Sequence, residues 1–170
     1  AAIECSGMPS IGFKVGSTSA EAQKVLKTNE PGASPVLSGF FHTSPATISI
    51  VTAHGPAVEG EFALRIGEDL PARDTEYSFE EVFQAIDGVA AAIEVVGTRL
   101  AGGLVGKGRL LTTMDFGANI ALAIGKICTT WGGFDLAAHE VRLSVNDTLR
   151  ERGTGARALG HPIKVLQWLA

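Results

Sequence analysis

The sequence predicts an α+β fold rich in sheet, and three observations carry that expectation. Twenty-one glycines in 170 residues exceed ordinary usage and suit many tight turns and strand ends. Short segments of alternating apolar and polar residues recur between those glycines, the pattern of half-buried strands. A few stretches with the helical repeat stand between them, opened by capping residues.

Ile11 to Gly16 reads as a short strand with Lys14 at its middle. Such a lysine is ordinarily turned outward with a solvated head. The sharper reading is a lysine held in a pocket, where desolvation makes it a usable proton donor or acceptor. Ser17 to Glu21 supplies caps for a short helix over residues 22–27. Pro31, Gly32, Pro35, Gly39 and Pro45 then predict a loop that carries Val36-Leu37 and the pair Phe40-Phe41 before His42. A conformable loop of this kind can line a site, with His42 as ligand, base or hydrogen-bonded loop residue. Residues 46–51 alternate weakly, as a strand would.

The strongest strand pattern is residues 57–66, with Val58-Glu59-Gly60-Glu61-Phe62 at its head. A strand repeats every two residues, so Glu59 and Glu61 point to one face. Two neighbouring acids repel unless water covers them or a cation sits between them. The first case is an acidic outer face; the second is a site for Mg²⁺, which takes hard oxygen ligands.

Ser78 and Glu81 form a capping box that opens a helix over residues 79–89, with apolar Phe79, Val82, Phe83, Ile86 and Val89 on one stripe. Residues 90–97 read as a buried strand in which Glu94 is the only charge. An ionised, unpaired acid there costs several kcal/mol, so Glu94 has a partner, is protonated or binds a metal. Arg99, five residues on, is the nearest ordinary partner, and ion pair and metal ligand stay open.

The glycine-rich run 101–109 lacks the Lys-Ser/Thr ending and spacing of a phosphate-binding loop. Asp115 precedes a strand over 120–125, and residues 139–146 and 148–152 form a hairpin around Asn146-Asp147. The last helix is expected over 156–170, with a restart near Pro162 as the alternative. Asp135 and Glu140 read as solvated.

The net charge of −4, with no basic patch, gives no footprint for nucleic acid. No apolar run approaches the ~20 residues of a membrane span, and the first residues lack the pattern of a signal peptide. Cys5 and Cys128 are far apart and build neither a disulfide framework nor a zinc site. A soluble, cytoplasmic protein of one domain is expected. Ala1 is not a start methionine and the sequence stops inside an apolar helix, so missing parts at both ends are expected.

Gly12-Phe13-Lys14-Val15-Gly16, Val58-Glu59-Gly60-Glu61-Phe62 and Ala92-Ile93-Glu94-Val95-Val96 together resemble the fumarylacetoacetate hydrolase superfamily. The closer likeness is to its 2-keto-4-pentenoate hydratase and 2-oxo-hept-4-ene-dioate hydratase branch. It continues through Asp115 to Gly125, Ser144-Val145-Asn146 and Gly153 to Pro162.

The resemblance implies a mixed, strongly twisted β-roll with peripheral helices, as in the C-terminal domain of that family. Residues 1–170 would be a single catalytic-type domain lacking N- and C-terminal parts of the family domain. It further implies Mg²⁺ or Mn²⁺ on Glu59, Glu61 and Glu94, proton transfer by Lys14, a small 2-oxo acid substrate and a homo-oligomer. The implied reaction is a lyase's: hydration of a 2-hydroxy-2,4-dienoate or 2-oxo-4-enoate in the catabolism of aromatic compounds. Alternatives on the same metal site are decarboxylation of a 2-oxo acid, C–C hydrolysis of an acylpyruvate, or a catalytically silent scaffold. A hydrolase needs a base for water, often a His–Glu pair, and none is evident near Lys14.

One departure stands out. Many hydratases carry an acid after the Glu-Pro of the early loop, where Glu30-Pro31 is here followed by Gly32. His42 is the candidate to replace it. Phe40, His42 and Asp115 are the expected substrate contacts.

Overall fold

The structure, a computed structural model, describes residues 7–170, so the expectations for Cys5 and for the first residues lie outside it. The fold mixes helices and sheets. The chain forms two compact units, Ala1–Glu59 with Ile93–Ile124 and Gly60–Ala92 with Gly125–Ala170.

In the first unit β1 (Ser10–Gly16) runs antiparallel to β2 (Gly32–Leu37), with Lys14 opposite Ser34 and Gly16 opposite Gly32. Helix α1 (Ala20–Leu26) joins them. Its N-cap Ser19 accepts from the Ala22 amide at 3.2 Å. The short β3 (Phe41–Thr43) is parallel to β6 (Asn119–Ile124), so His42 lies beside Ala123. Helix α3 (Gly108–Met114) leads through a 3₁₀ turn, Phe116–Ala118, into β6. Strands β4 (Ala57–Ile66) and β5 (Ile86–Val96) complete a four-stranded sheet in the order β3-β6-β5-β4.

In the second unit α2 (Phe79–Gln84) packs against α4 (Pro162–Leu169). Both sides of the α2 capping box are made: Ser78 Oγ accepts from the Glu81 amide, and the Glu81 carboxylate accepts from the Ser78 amide at 2.7 Å. Tyr77, Val82, Ile86, Val89, Trp131, Leu136 and Ile163 form the core. Helix α4 starts at Pro162, whose missing N–H is no loss in the first turn. Burial pushes the His161 imidazole down, so its Nδ1 stays an acceptor for the Ile163 amide at 3.1 Å. β7 (Glu140–Val145) and β8 (Thr148–Thr154) are the expected hairpin, with Asn146 and Asp147 at positive φ.

Four expectations change. The helix expected over 79–89 ends at Gln84, and the chain enters β5 at Ile86. Asp87-Gly88 is a poor helix segment, and Val89 exchanges backbone hydrogen bonds with Cys128 instead. Val36-Leu37 belongs to a strand, not a loop, because Pro35 sits where the two-stranded pair tolerates it. Residues 46–51 form no strand, and the last helix is the shorter alternative.

Ile163 is 1 % exposed at the centre of the core. Ile163→Ala should cost about 2–5 kcal/mol, read as a lower urea midpoint. An unchanged midpoint would remove it from the core.

Candidate functional site

Lys14 is drawn in from water: its side chain is 13 % exposed. Its Nζ donates to the Gly117 carbonyl at 2.8 Å and stands 3.0 Å from Glu94 Oε1. Glu94 is 3 % exposed, and the same oxygen accepts from Asn119 Nδ2 at 2.7 Å. The buried acid of β5 therefore has two partners, and neither is Arg99.

Arg99 serves Asp115 instead. Its Nη1 donates to Asp115 Oδ1 at 3.0 Å and its backbone N–H to Oδ2 at 2.9 Å. Thr98 Oγ1 donates to the same Oδ2 at 2.7 Å. Burial alone would raise the Asp115 carboxyl, but these donors and the Arg99 charge outweigh it and hold it below the usual range. Arg99 Nη2 also donates to the Asn119 carbonyl at 3.0 Å. The network thus holds both ends of the turn that carries Gly117.

That turn needs holding. Phe116, Gly117 and Ala118 have φ of 52°, 67° and 66°, and a non-glycine residue in such a conformation costs roughly 1–3 kcal/mol. Position 117 requires glycine twice over. Its φ is positive, and a Cβ there would lie 2.9 Å from Ser34 Oγ and 3.4 Å from Lys14 Cε.

On β4 the period of two holds. One oxygen from each of Glu59, Glu61 and Glu94 lies within 4.8 Å of the others. Although Glu59 keeps much of its surface in water, the atoms packed about its carboxyl desolvate it. That crowding, and then the Glu94 charge, push the Glu59 carboxyl up, partly offset by Lys14. Carboxylates this close suit a hard divalent cation, which relieves their repulsion. The donor set therefore fits such an ion.

Within the first unit a cavity of about 220 Å³ is lined by Lys14, Ser34, Glu59, Arg109, Thr113 and Gly117, among others. Phe40, His42 and Asp115 do not line it. The Phe40 ring meets Phe116 edge-on at 5.7 Å and lies under the Arg99 guanidinium. His42 is half-buried on β3. Asn119 and Arg109 escaped the sequence reading. An asparagine heading an apolar strand was the available signal for the first; nothing in the sequence pointed to the second.

The fumarylacetoacetate (FAA) hydrolase C-terminal family matches residues 14–170. The chain belongs to this family. Among its relatives, the 2-keto-4-pentenoate hydratase of Paraburkholderia xenovorans is 32 % identical over 162 residues, covering 94 % of this chain and 58 % of that one. The 2-hydroxyhexa-2,4-dienoate hydratase of Comamonas testosteroni is 29 % identical, covering 98 % and 62 %. The chain thus spans about three-fifths of the length of these curated relatives. Its fold superimposes on the 4-oxalocrotonate decarboxylase of Pseudomonas putida G7, complexed with magnesium and adipate, with a TM-score of 0.82 and 22 % identity over 99 % of this chain and 62 % of that one. A fumarylpyruvate hydrolase of Pseudomonas aeruginosa, in complex with Mn²⁺ and pyruvate, gives a TM-score of 0.64 at 15 % identity, covering 95 % and 72 %. The expected C-terminal-domain fold of this family is therefore the observed one. Among the described residues no helix is long and apolar enough to cross a membrane.

The raised Glu59 carboxyl carries a pH signature. An acid raised by folding does not penalise the fold while protonated, and its ionisation destabilises the metal-free fold as pH climbs through its raised range. In chelator-treated protein, Glu59→Gln should melt with the wild type at acid pH and at a higher temperature once Glu59 ionises. A variant that melts lower at alkaline pH contradicts this cause.

Proposed function

We propose that the chain is the metal-binding part of a hydratase that adds water to a 2-hydroxy-2,4-dienoate, giving a 4-hydroxy-2-oxo acid, in the breakdown of aromatic compounds. The observation that carries this reading is the Lys14 ammonium on Glu94, within a cluster of three glutamates. Relatives named for hydration, at 32 % and 29 % identity, favour it over decarboxylation, whose named neighbour is 22 % identical.

Glu59, Glu61 and Glu94 would hold Mg²⁺ or Mn²⁺, which when bound supplies Lewis-acid polarisation of a 2-oxo acid. Lys14 moves the proton. Its ammonium spends one N–H on Gly117 and faces Glu94 with another, so its position is fixed and one N–H stays available. From there it gives its proton to the dienoate carbon as the 2-hydroxyl loses its own, which restores the ammonium, and water then adds across the conjugated double bond. Asn119 fixes the Glu94 carboxylate, and Asp115 acts at one remove, through the turn that presents Gly117. Phe40 and His42 remain candidates for substrate contact through the β3 segment.

With Glu94 still held by Asn119, Lys14→Met should keep Mg²⁺ binding and lower turnover of 2-hydroxypenta-2,4-dienoate by about 10²–10⁴-fold. Glu61→Gln should lose both. Normal turnover by Lys14→Met would remove the lysine from the chemistry.

A further inference from the structure

Arg109 is a cation for which no acidic partner is found among the described residues. Its Nη2 donates to the Glu30 carbonyl, and its buried Nε has no hydrogen-bond partner. A buried donor on a charged group is costly when left unpaired. The same side chain lines the cavity that Lys14 and Glu59 line.

The place it occupies depends on Gly32. A Cβ at position 32 would overlap Arg109 Nη1 and crowd its Cζ at 2.9 Å. The absence of a side chain at Gly32 leaves room for the guanidinium.

The two cations of the cavity are therefore unlike. Lys14 already faces Glu94 and the Gly117 carbonyl. Arg109 lacks an anion, and a planar guanidinium is suited to grip a carboxylate through two parallel hydrogen bonds. The hydroxyls of Ser34 and Thr113, which line the same cavity, add polar partners. At about 220 Å³ the cavity is below the ~300–1,000 Å³ of drug-sized pockets, which suits a small acid.

We propose that Arg109 binds the far carboxylate of a dicarboxylic substrate, so that the chain selects 2-oxo dicarboxylic acids over monocarboxylic ones. This rests on the reading in which the 2-oxo acid end lies at the three glutamates.

Calorimetry on the full chain tests it with two six-carbon probes and Mg²⁺, 2-oxoadipate and 2-oxohexanoate, which differ by the far carboxylate. The wild type should prefer 2-oxoadipate by about tenfold or more. Arg109→Met should bring the ratio of the two affinities close to one. Gly32→Ala keeps the charge but drives the guanidinium from its place, and should erode the same ratio, which guards against a variant that merely misfolds. Equal affinities in the wild type, or a preference that survives both substitutions, would overturn the assignment of Arg109. Adipate titrated in chelator separates the two readings. Arg109-dependent adipate binding without Mg²⁺-dependent binding of 2-oxohexanoate supports Arg109 and sinks the metal reading. The reverse result overturns Arg109 alone, and no binding of any probe overturns both.

Discussion

The buried contact between Lys14 and Glu94 is the constraint on which the site depends. A carboxylate 3 % exposed is tolerable only when paired and hydrogen-bonded. The partners come from places far apart in sequence: Lys14 on β1, and Asn119 at the head of β6. Lys14 in turn needs the Gly117 carbonyl. One ion pair thereby fixes a strand, a turn and the carboxylate that the metal reading requires. Glu94 Oε1 accepts from both donors, and the residue would hold an ion together with Glu59 and Glu61.

The turn at 116–118 is where the fold accepts local cost for this placement. Three successive residues with positive φ would not persist unsupported. The support is Asp115, kept ionised by Thr98 and Arg99, with Arg99 reaching on to the Asn119 carbonyl and stacking near the rings of Phe40 and Phe116. Asp115 was expected among the substrate contacts. Its side chain is engaged with the backbone and side chains that hold the turn.

What was legible in the sequence follows from which signals are local. Glu59 and Glu61 could be placed on one face because strand period is a property of five residues. Ser78 and Glu81 announced a helix start for the same reason. Glu94 was legible as a residue in need of a partner, since one acid stood in an apolar run. Which partner it takes was not, because Lys14 is eighty residues away and sequence proximity pointed to Arg99. The end of α2 and the pairing of β2 were lost likewise: the Val89–Cys128 bridge and the register of Pro35 opposite Phe13 are decided by distant strands. Arg109 was invisible because its setting is made by an absent side chain at Gly32.

The most direct measurement is calorimetric titration of oxalate, a mimic of a 2-oxo acid enolate, into the chain with and without Mg²⁺. Binding should appear only with Mg²⁺ and vanish in Glu94→Gln, because the buried glutamate would complete the cation's ligand set. Oxalate binding without the metal, or binding that survives the loss of the Glu94 charge, would contradict a metal site built on Glu59, Glu61 and Glu94.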